Sequence, residues 1–509
     1  MNLRSLIDPA SRSTVLLVGG RTIGLVASFA IGIIFARIFA PADFGTYKQF
    51  FLVYATLYGL VQLGMAESLY YFVPRRSVDT GRYVCNAMVT LAVAGLASLA
   101  LLYAGRMAVG RWLTNTDLAD HALLLGAFLT LTLMTTVFEI VMISRKRHLA
   151  AAVTYAVSDV ARTLLFVLPA LAFGSLHAVF VGATAFAAIR LVVVLASLWR
   201  EFGRDFRIDL VLWRDQLAYA LPFALAVSIE VIQINFHQYV VASRVDAATF
   251  AIYAIGCLQI PLVDLIATSS VNVMMVRMGE ERSQCGPQSG PPASAGLSGR
   301  AATRPAALTL WHDTICRLAF LLVPLGVFLV MMSRELIVGL FTTTYAASVP
   351  IFAVWALTAV LPSIFAVDGV LRVYAQTRFL FYTNLLRLAF VALFIGVFMS
   401  TLGLTGAVVV TFIGTMLVKL LGVARVASLM HVGIREALPW SRLGAITART
   451  TVSAVPAWWL THSVTMPPLL ALFAAGALFA ATYFGLSYAS AITAHLAPID
   501  PAIAPIVQE

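Results

Sequence analysis

Long apolar runs recur from Val15 to about Ile492, each separated from the next by a short polar connection. A run of about 20 apolar residues is long enough to cross a hydrocarbon core of ~30 Å as a helix. The pattern predicts about fourteen such spans. Their limits fall at 14–39, 49–73, 84–105, 122–144, 150–173, 177–199, 216–242, 250–276, 314–333, 349–371, 379–400, 403–427, 446–462 and 468–492. The thirteenth is the least regular, because Arg449 and Pro456 interrupt it. The chain therefore reads as an all-α integral membrane protein, and whatever it does is done inside or across a bilayer. The first apolar run is too long for the apolar part of a cleavable signal, ~7–15 residues, and is expected to act as its own insertion signal.

The connections carry a second pattern. Every second one is basic: Arg75, Arg76 and Arg82; Arg145, Lys146 and Arg147; Arg200, Arg204, Arg207 and Arg214; Arg277, Arg282, Arg300 and Arg304; Arg378; Arg435 and Arg442. The connections between them are poorer in Lys and Arg. Positive charge stays on the cytoplasmic side, so these loops and both termini are expected there.

A faint repeat organises the spans. Ala36-Arg37-Ile38-Phe39-Ala40-Pro41-Ala42-Asp43-Phe44-Gly45-Thr46-Tyr47 joins the first two, and Ala242 to Tyr253 joins the seventh and eighth, with Ala, Ala, Phe and Tyr coinciding at one offset. A helix–loop–helix recurring after six spans in the same orientation predicts two parallel six-helix lobes, at 13–200 and 215–430, followed by a helix pair at 445–493. Within the second lobe, residues 279–307 are rich in Gly, Pro, Ser and Arg, and are expected to form a flexible cytoplasmic insert.

Composition agrees with this reading. Of 509 residues, 61% are hydrophobic and only 11% charged, whereas soluble domains carry about 25% charged residues. The net charge of +11 is accounted for by the basic loops, not by nucleic-acid binding. Cys85, Cys257, Cys285 and Cys316 are widely spaced and match no metal-ligand or disulfide framework.

The candidate chemistry lies in polar residues at membrane depth, which are costly there and usually face a bundle interior or a water-filled cavity. Glu230, Gln233 and His237 share one stripe of the seventh span, which suits either a cavity wall with a cation-responsive carboxylate or interhelical hydrogen bonding. Asp264, Thr268 and Asn272 form a similar stripe in the eighth, so Glu230 and Asp264 are the candidates for coupling to H+ or Na+. Asp159 and Arg162 are spaced for a mutual ion pair. Arg21, beside Gly19, Gly20 and Gly24, and Arg190 are cations that could hold phosphate or reach to the interface. Glu67, Glu139, Asp368, Arg372, Arg387 and Lys419 lie nearer span ends, where snorkelling or a loop salt bridge is expected. No phosphate-binding glycine loop, metal cluster or nucleophile triad is present, and the outward loops are short, so an enzyme is not expected.

Several of these segments together resemble bacterial polysaccharide-export flippases. Ala36-Arg37 with Pro41, Phe44-Gly45 and Tyr47 is similar to their first loop. Gly64-Met65-Ala66-Glu67-Ser68 with Tyr71-Phe72-Val73-Pro74-Arg75 is similar to the end of their second span, and Ala220-Leu221-Pro222 to the opening of the seventh. These flippases form the polysaccharide branch of the multidrug/oligosaccharidyl-lipid/polysaccharide (MOP) exporter superfamily. The resemblance covers roughly 13–430. It implies two lobes around a central, often cationic cavity, in the bacterial cytoplasmic membrane. It also implies transfer of polyprenyl-diphosphate-linked oligosaccharide to the outer leaflet for surface polysaccharide such as O-antigen or exopolysaccharide, alongside a glycan polymerase and other assembly proteins. Arg21, Arg162 and Arg190, with Gln233 and His237, would then contact the cargo. No cofactor beyond a coupling H+ or Na+ is expected. The alternative is a cation-coupled drug or metabolite antiporter of the same superfamily. This chain departs from the resemblance in its 279–307 insert and in the carboxylates Glu230 and Asp264, which offset the arginines.

Overall fold

A computed structural model describes residue 24 and residues 27–75, 77–284 and 298–496, and the chain divides into two compact units, ending and beginning at Ile255 and Gly256. Among the described residues there is no strand. Unit 1 runs through α1 (Ala27–Ile38), α2 (Pro41–Val61), α3 (Met65–Arg75), α4 (Thr80–Ala104), α5 (Arg106–Trp112), α6 (Asp117–Asp120), α7 (Ala122–Thr135), α8 (Val137–Ser144), α9 (His148–Phe173), α10 (Leu176–Phe202) and α11 (Leu210–Ala242), and closes with α12 (Ala247–Gly256). Unit 2 comprises α13 (Pro261–Gln284), α14 (Ser298–Met331), α15 (Ser333–Phe341), α16 (Val349–Ile364), α17 (Val367–Val373), α18 (Thr377–Leu402), α19 (Leu404–Met430), α20 (Trp440–Ser463) and α21 (Pro468–Leu496).

Local chemistry sets the helix ends. Pro41 opens α2, where a missing N–H costs nothing. The Asp209 carboxylate accepts from the backbone N–H groups of Val211 and Leu212 and caps α11. Along α9, Leu164, Leu168 and Leu171 are exposed on one stripe. A face of this kind is an aggregation liability in water and the expected lipid contact in a bilayer.

Eleven stretches are helical, long and apolar enough to cross a membrane, and the pair α2–α3, bent by 42°, makes a twelfth if taken as one span. The chain is thus a multi-pass membrane protein. The count of fourteen is not reached among the described residues, for two reasons. The first span is described only in part, and its described helix, α1, is shorter than a full crossing. Helix α20 falls short in apolarity, although it is continuous through Arg449 and Pro456.

Two further expectations change. The eighth span is not one helix. Helix α12 stops at Gly256 and α13 starts at Pro261, because proline lacks the N–H that would continue the ladder. The carbonyl of Leu258 in this break accepts the Trp355 indole N–H at 2.9 Å. Asp264 therefore sits in the first turn of α13, not in the middle of a span. The expected insert at 279–307 is helical at both ends, since α13 reaches Gln284 and α14 begins at Ser298. Residues 285–297 lie outside the described ones.

Unit 1 packs around Met65, Leu69, Tyr83, Leu129, Leu133 and Val137, all fully buried. The two repeat loops meet inside it. Phe44, Tyr47, Phe250 and Tyr253 are buried, and Gly45 lies against the backbone carbonyl of Ala247 so closely that a Cβ has no space. A polar clamp sits nearby: Asn115 Nδ2 donates to Gln49 Oε1 at 2.6 Å and to Thr46 Oγ1 at 2.9 Å, and Gln49 Nε2 donates to the Leu113 carbonyl at 3.1 Å. The α2–α3 bend is built at Leu63 and Gly64, both at positive φ, where glycine avoids the strain that a side chain brings. Unit 2 packs around Trp311, Ile315, Leu318, Leu322 and Val426, with the Trp311 indole N–H donating to the Phe365 carbonyl at 2.9 Å. Its C-terminal pair joins it through Ala457, Ala475, Phe479 and Met332.

Candidate functional site

Unit 1 gathers charged side chains from four spans into one electrostatic neighbourhood. On α9, Arg162 Nη2 lies 2.9 Å from Asp159 Oδ1, the expected ion pair, and also donates to Ser28 Oγ on α1 at 2.5 Å. Gly24, one turn before Ser28, lies so close to the Asp159 carboxylate that a side chain there would displace it. Arg162 Nε is buried and has no hydrogen-bond partner among the described residues. On α10, Arg190 Nη2 pairs with Glu139 Oε1 of α8. Glu139 is only 3% exposed, so it does not snorkel as its place in the sequence suggested. The reason is electrostatic: a counterion at the same depth offsets the cost of burial.

Helix α2 lies among these pairs. Tyr54 is within electrostatic reach of both Arg162 and Arg190, and Tyr58 within reach of Arg190, Glu139 and Glu67. The Tyr58 hydroxyl is 2.9 Å from Thr136 Oγ1. Glu67, in the first turn of α3, has a buried Oε2 with no hydrogen-bond partner among the described residues. The arrangement can thus bind a polar ligand in two ways: through guanidinium N–H groups that can change partner, and through carboxylates able to take up a cation.

The other expected residues lie on α11 and α13 or outside the described residues. Arg21 belongs to the latter. Gln233 and His237 are buried, and His237 Nδ1 lies 2.6 Å from the Tyr253 hydroxyl, which ties α11 to α12. Glu230, on the same stripe, is exposed. Asp264, Thr268 and Asn272 are exposed along α13 in unit 2, where Asp368 pairs with Lys419. Sequence reasoning missed Glu139 as the partner of Arg190, and Tyr54 and Tyr58 altogether. The one available signal was a lone acid and a lone base at matching depth in two apolar spans.

Comparisons with known proteins give the fold and the family of this helical membrane protein with ion pairs held inside its spans. The structure is similar to that of the lipid II flippase MurJ in an inward closed conformation, with a TM-score of 0.71 over 95% of this chain and 99% of that one, at 12% identity. It is also similar to an inward-facing multidrug resistance MATE family transporter of the MOP superfamily, with a TM-score of 0.52 over 84% and 96% at 15% identity. A third similar structure is a MOP superfamily transporter from Pyrococcus furiosus whose binding pocket is described as having reverse polarity, with a TM-score of 0.51 over 82% and 95% at 16% identity. The fold is that of MOP superfamily transporters. The family model for polysaccharide biosynthesis proteins matches residues 10–271, and the chain belongs to that family. No curated protein sequence matches it.

Proposed function

We propose that this protein is a flippase that carries polyprenyl-diphosphate-linked oligosaccharide from the cytoplasmic to the outer leaflet of the bacterial cytoplasmic membrane by alternating access. The observation that carries the reading is the charged cluster of unit 1, with Arg162 and Arg190 among tyrosines and carboxylates, in a chain of a polysaccharide biosynthesis family. A diphosphate presents the same paired oxygens to a guanidinium as a carboxylate does. Cargo can therefore take the place of Glu139 or Asp159 on arginines already held in position. Arg21 would add a third cation, with Gln233 and His237 further polar contacts. The fold shared with a lipid II flippase supports a lipid-linked cargo. The product would feed assembly of O-antigen, capsule or exopolysaccharide, with a glycan polymerase acting next. Depleting the protein is expected to strand lipid-linked oligosaccharide on the cytoplasmic leaflet, and restoring it to clear the accumulation. An unchanged leaflet distribution with intact surface glycan would overturn the proposal.

Coupling to H+ or Na+ is assigned to Glu230 and Asp264. Glu230→Gln and Asp264→Asn are each expected to lower the gradient-driven rate in reconstituted vesicles by roughly tenfold, within the range of coupling between linked sites. If both retain a full response to an imposed gradient, the assignment passes to Glu67, and Glu67→Gln is the variant to measure.

One observation favours a second reading, cation-coupled antiport of drugs or metabolites. The described cluster holds three carboxylates, Glu67, Glu139 and Asp159, against two arginines. Energised efflux of small organic cations with normal surface glycan would select it.

A further inference from the structure

Unit 2 holds arginines that the transport cluster does not use. An open groove of about 750 Å³ lies between α13, α14 and α20, lined by Ser270, Asp313, Arg317, Phe320, Arg442 and Arg449. A smaller cavity of about 250 Å³ shares Ser270, Asp313 and Arg317 and adds Arg277. Four guanidinium groups thus face one carboxylate, and that carboxylate is already paired with Arg442 at 3.3 Å.

The depth of two of these cations is informative. Arg317 lies on α14 within Ala306–Met331, the stretch that is long and apolar enough to cross a membrane. On α20, Trp440 at one end and Trp458 with Trp459 near the other are each more than half exposed. They are about 27 Å apart along the helix, which matches aromatic anchors at the two faces of a bilayer. Arg449 lies halfway between them. It donates from Nη1 to Ser490 Oγ and from Nε to the Ala445 carbonyl, both at 3.1 Å. Neither Arg317 nor Arg449 has a carboxylate within ion-pair distance among the described residues. A cation at membrane depth without a counterion is costly and normally marks a function.

We propose that this groove binds the phosphate headgroup of an anionic phospholipid of the surrounding bilayer. Arg317 and Arg449 grip the phosphate, and Arg277 and Arg442 line the rim. The occupant follows from the setting. Helices α13 and α14 are long and apolar enough to cross a membrane and α20 packs beside α14, so the molecules that reach the groove laterally are lipids. Phe320, Leu321 and Ile446 line the same groove and offer an apolar surface to an acyl chain. A soluble anion would have no use for that surface. The surplus of positive charge suits a headgroup with a full negative charge and gives a zwitterionic one little advantage. The site is built from residues of unit 2 and the proposed cargo cluster from residues of unit 1, so each proposal can fail without the other.

The test is lipid retention by the purified full-length protein, read by native mass spectrometry during titration with phosphatidylglycerol or phosphatidylcholine. The wild type is expected to retain phosphatidylglycerol selectively. The pair Arg317→Gln and Arg449→Gln is expected to weaken that retention at least ~10-fold, as loss of charge-assisted hydrogen bonds requires. The pair Arg317→Lys and Arg449→Lys should keep most of it, and Arg111→Gln, elsewhere on the chain, all of it. If the glutamine pair does not fold, the single variant Arg317→Gln, at an exposed side chain, carries the measurement. Equal retention by folded glutamine variants and wild type would overturn the proposal. Displacement of the lipid by inorganic pyrophosphate at equal concentration would assign the site to a soluble anion. Preferential displacement by polyprenyl diphosphate would assign it to the cargo. Either result would equally overturn the phospholipid assignment.

Discussion

Arg190→Ala is expected to destabilise unit 1 by about 3–5 kcal/mol and to stop glycan export. The two effects have different origins and can be separated. The stability loss arises because Glu139, 3% exposed, keeps its charge or takes up a proton in an environment built for an ion pair. Arg190→Ala combined with Glu139→Gln removes that charge. The double variant should regain most of the thermal stability and membrane abundance that the single variant loses. The export loss comes from the missing guanidinium, so the double variant should remain inactive. Unfolding of the purified proteins and surface glycan in complemented cells measure the two effects. Normal export by the stable double variant would remove Arg190 from the cargo site, while leaving its structural role intact.

Gly45→Val should cost about 1–3 kcal/mol, at the upper end of that range, because its neighbour is backbone and cannot rotate away. The carbonyl of Ala247 occupies the space a Cβ would need, and relief requires the two repeat loops to separate. Gly32→Ala is the matched control, since nothing lies within 4 Å of a Cβ there. It should be neutral or should stabilise α1 by up to ~1 kcal/mol through helix propensity. A difference in thermal unfolding between the two variants measures the contact. Equal behaviour would mean that the loops give way without cost.

These two positions show what could be read from the chain. The spans were legible because a bilayer requires long uninterrupted apolar helices, a demand written into every stretch of sequence. Where a span breaks was less legible. Hydropathy does not register main-chain hydrogen bonding, so 250–276 read as one helix although Pro261 was a visible signal for the break. The repeat was legible as a few matching residues, but nothing in their spacing said that Gly45 would rest on Ala247. The same division holds in the candidate site. Asp159 and Arg162 were paired by their spacing along one helix. Arg190 and Glu139 belong to different spans, and their pairing depends on how α8 and α10 pack. Arg317 and Arg449 likewise gain meaning only once α14 and α20 lie side by side.

The pairing of the unit 1 cations has an electrical consequence. Arg162 with Asp159, and Arg190 with Glu139, each carry no net charge. If such pairs shift together during a transport cycle, they move no charge through the membrane field, which acts on each unpaired charge with about 2.3 kcal/mol per 100 mV. These pairs would then add nothing to the voltage dependence of the cycle, which would rest on the cargo, any coupling ion and the unpaired charges. The current measured across a reconstituted membrane would report the charge of what is carried, with the protein's own ion pairs electrically silent.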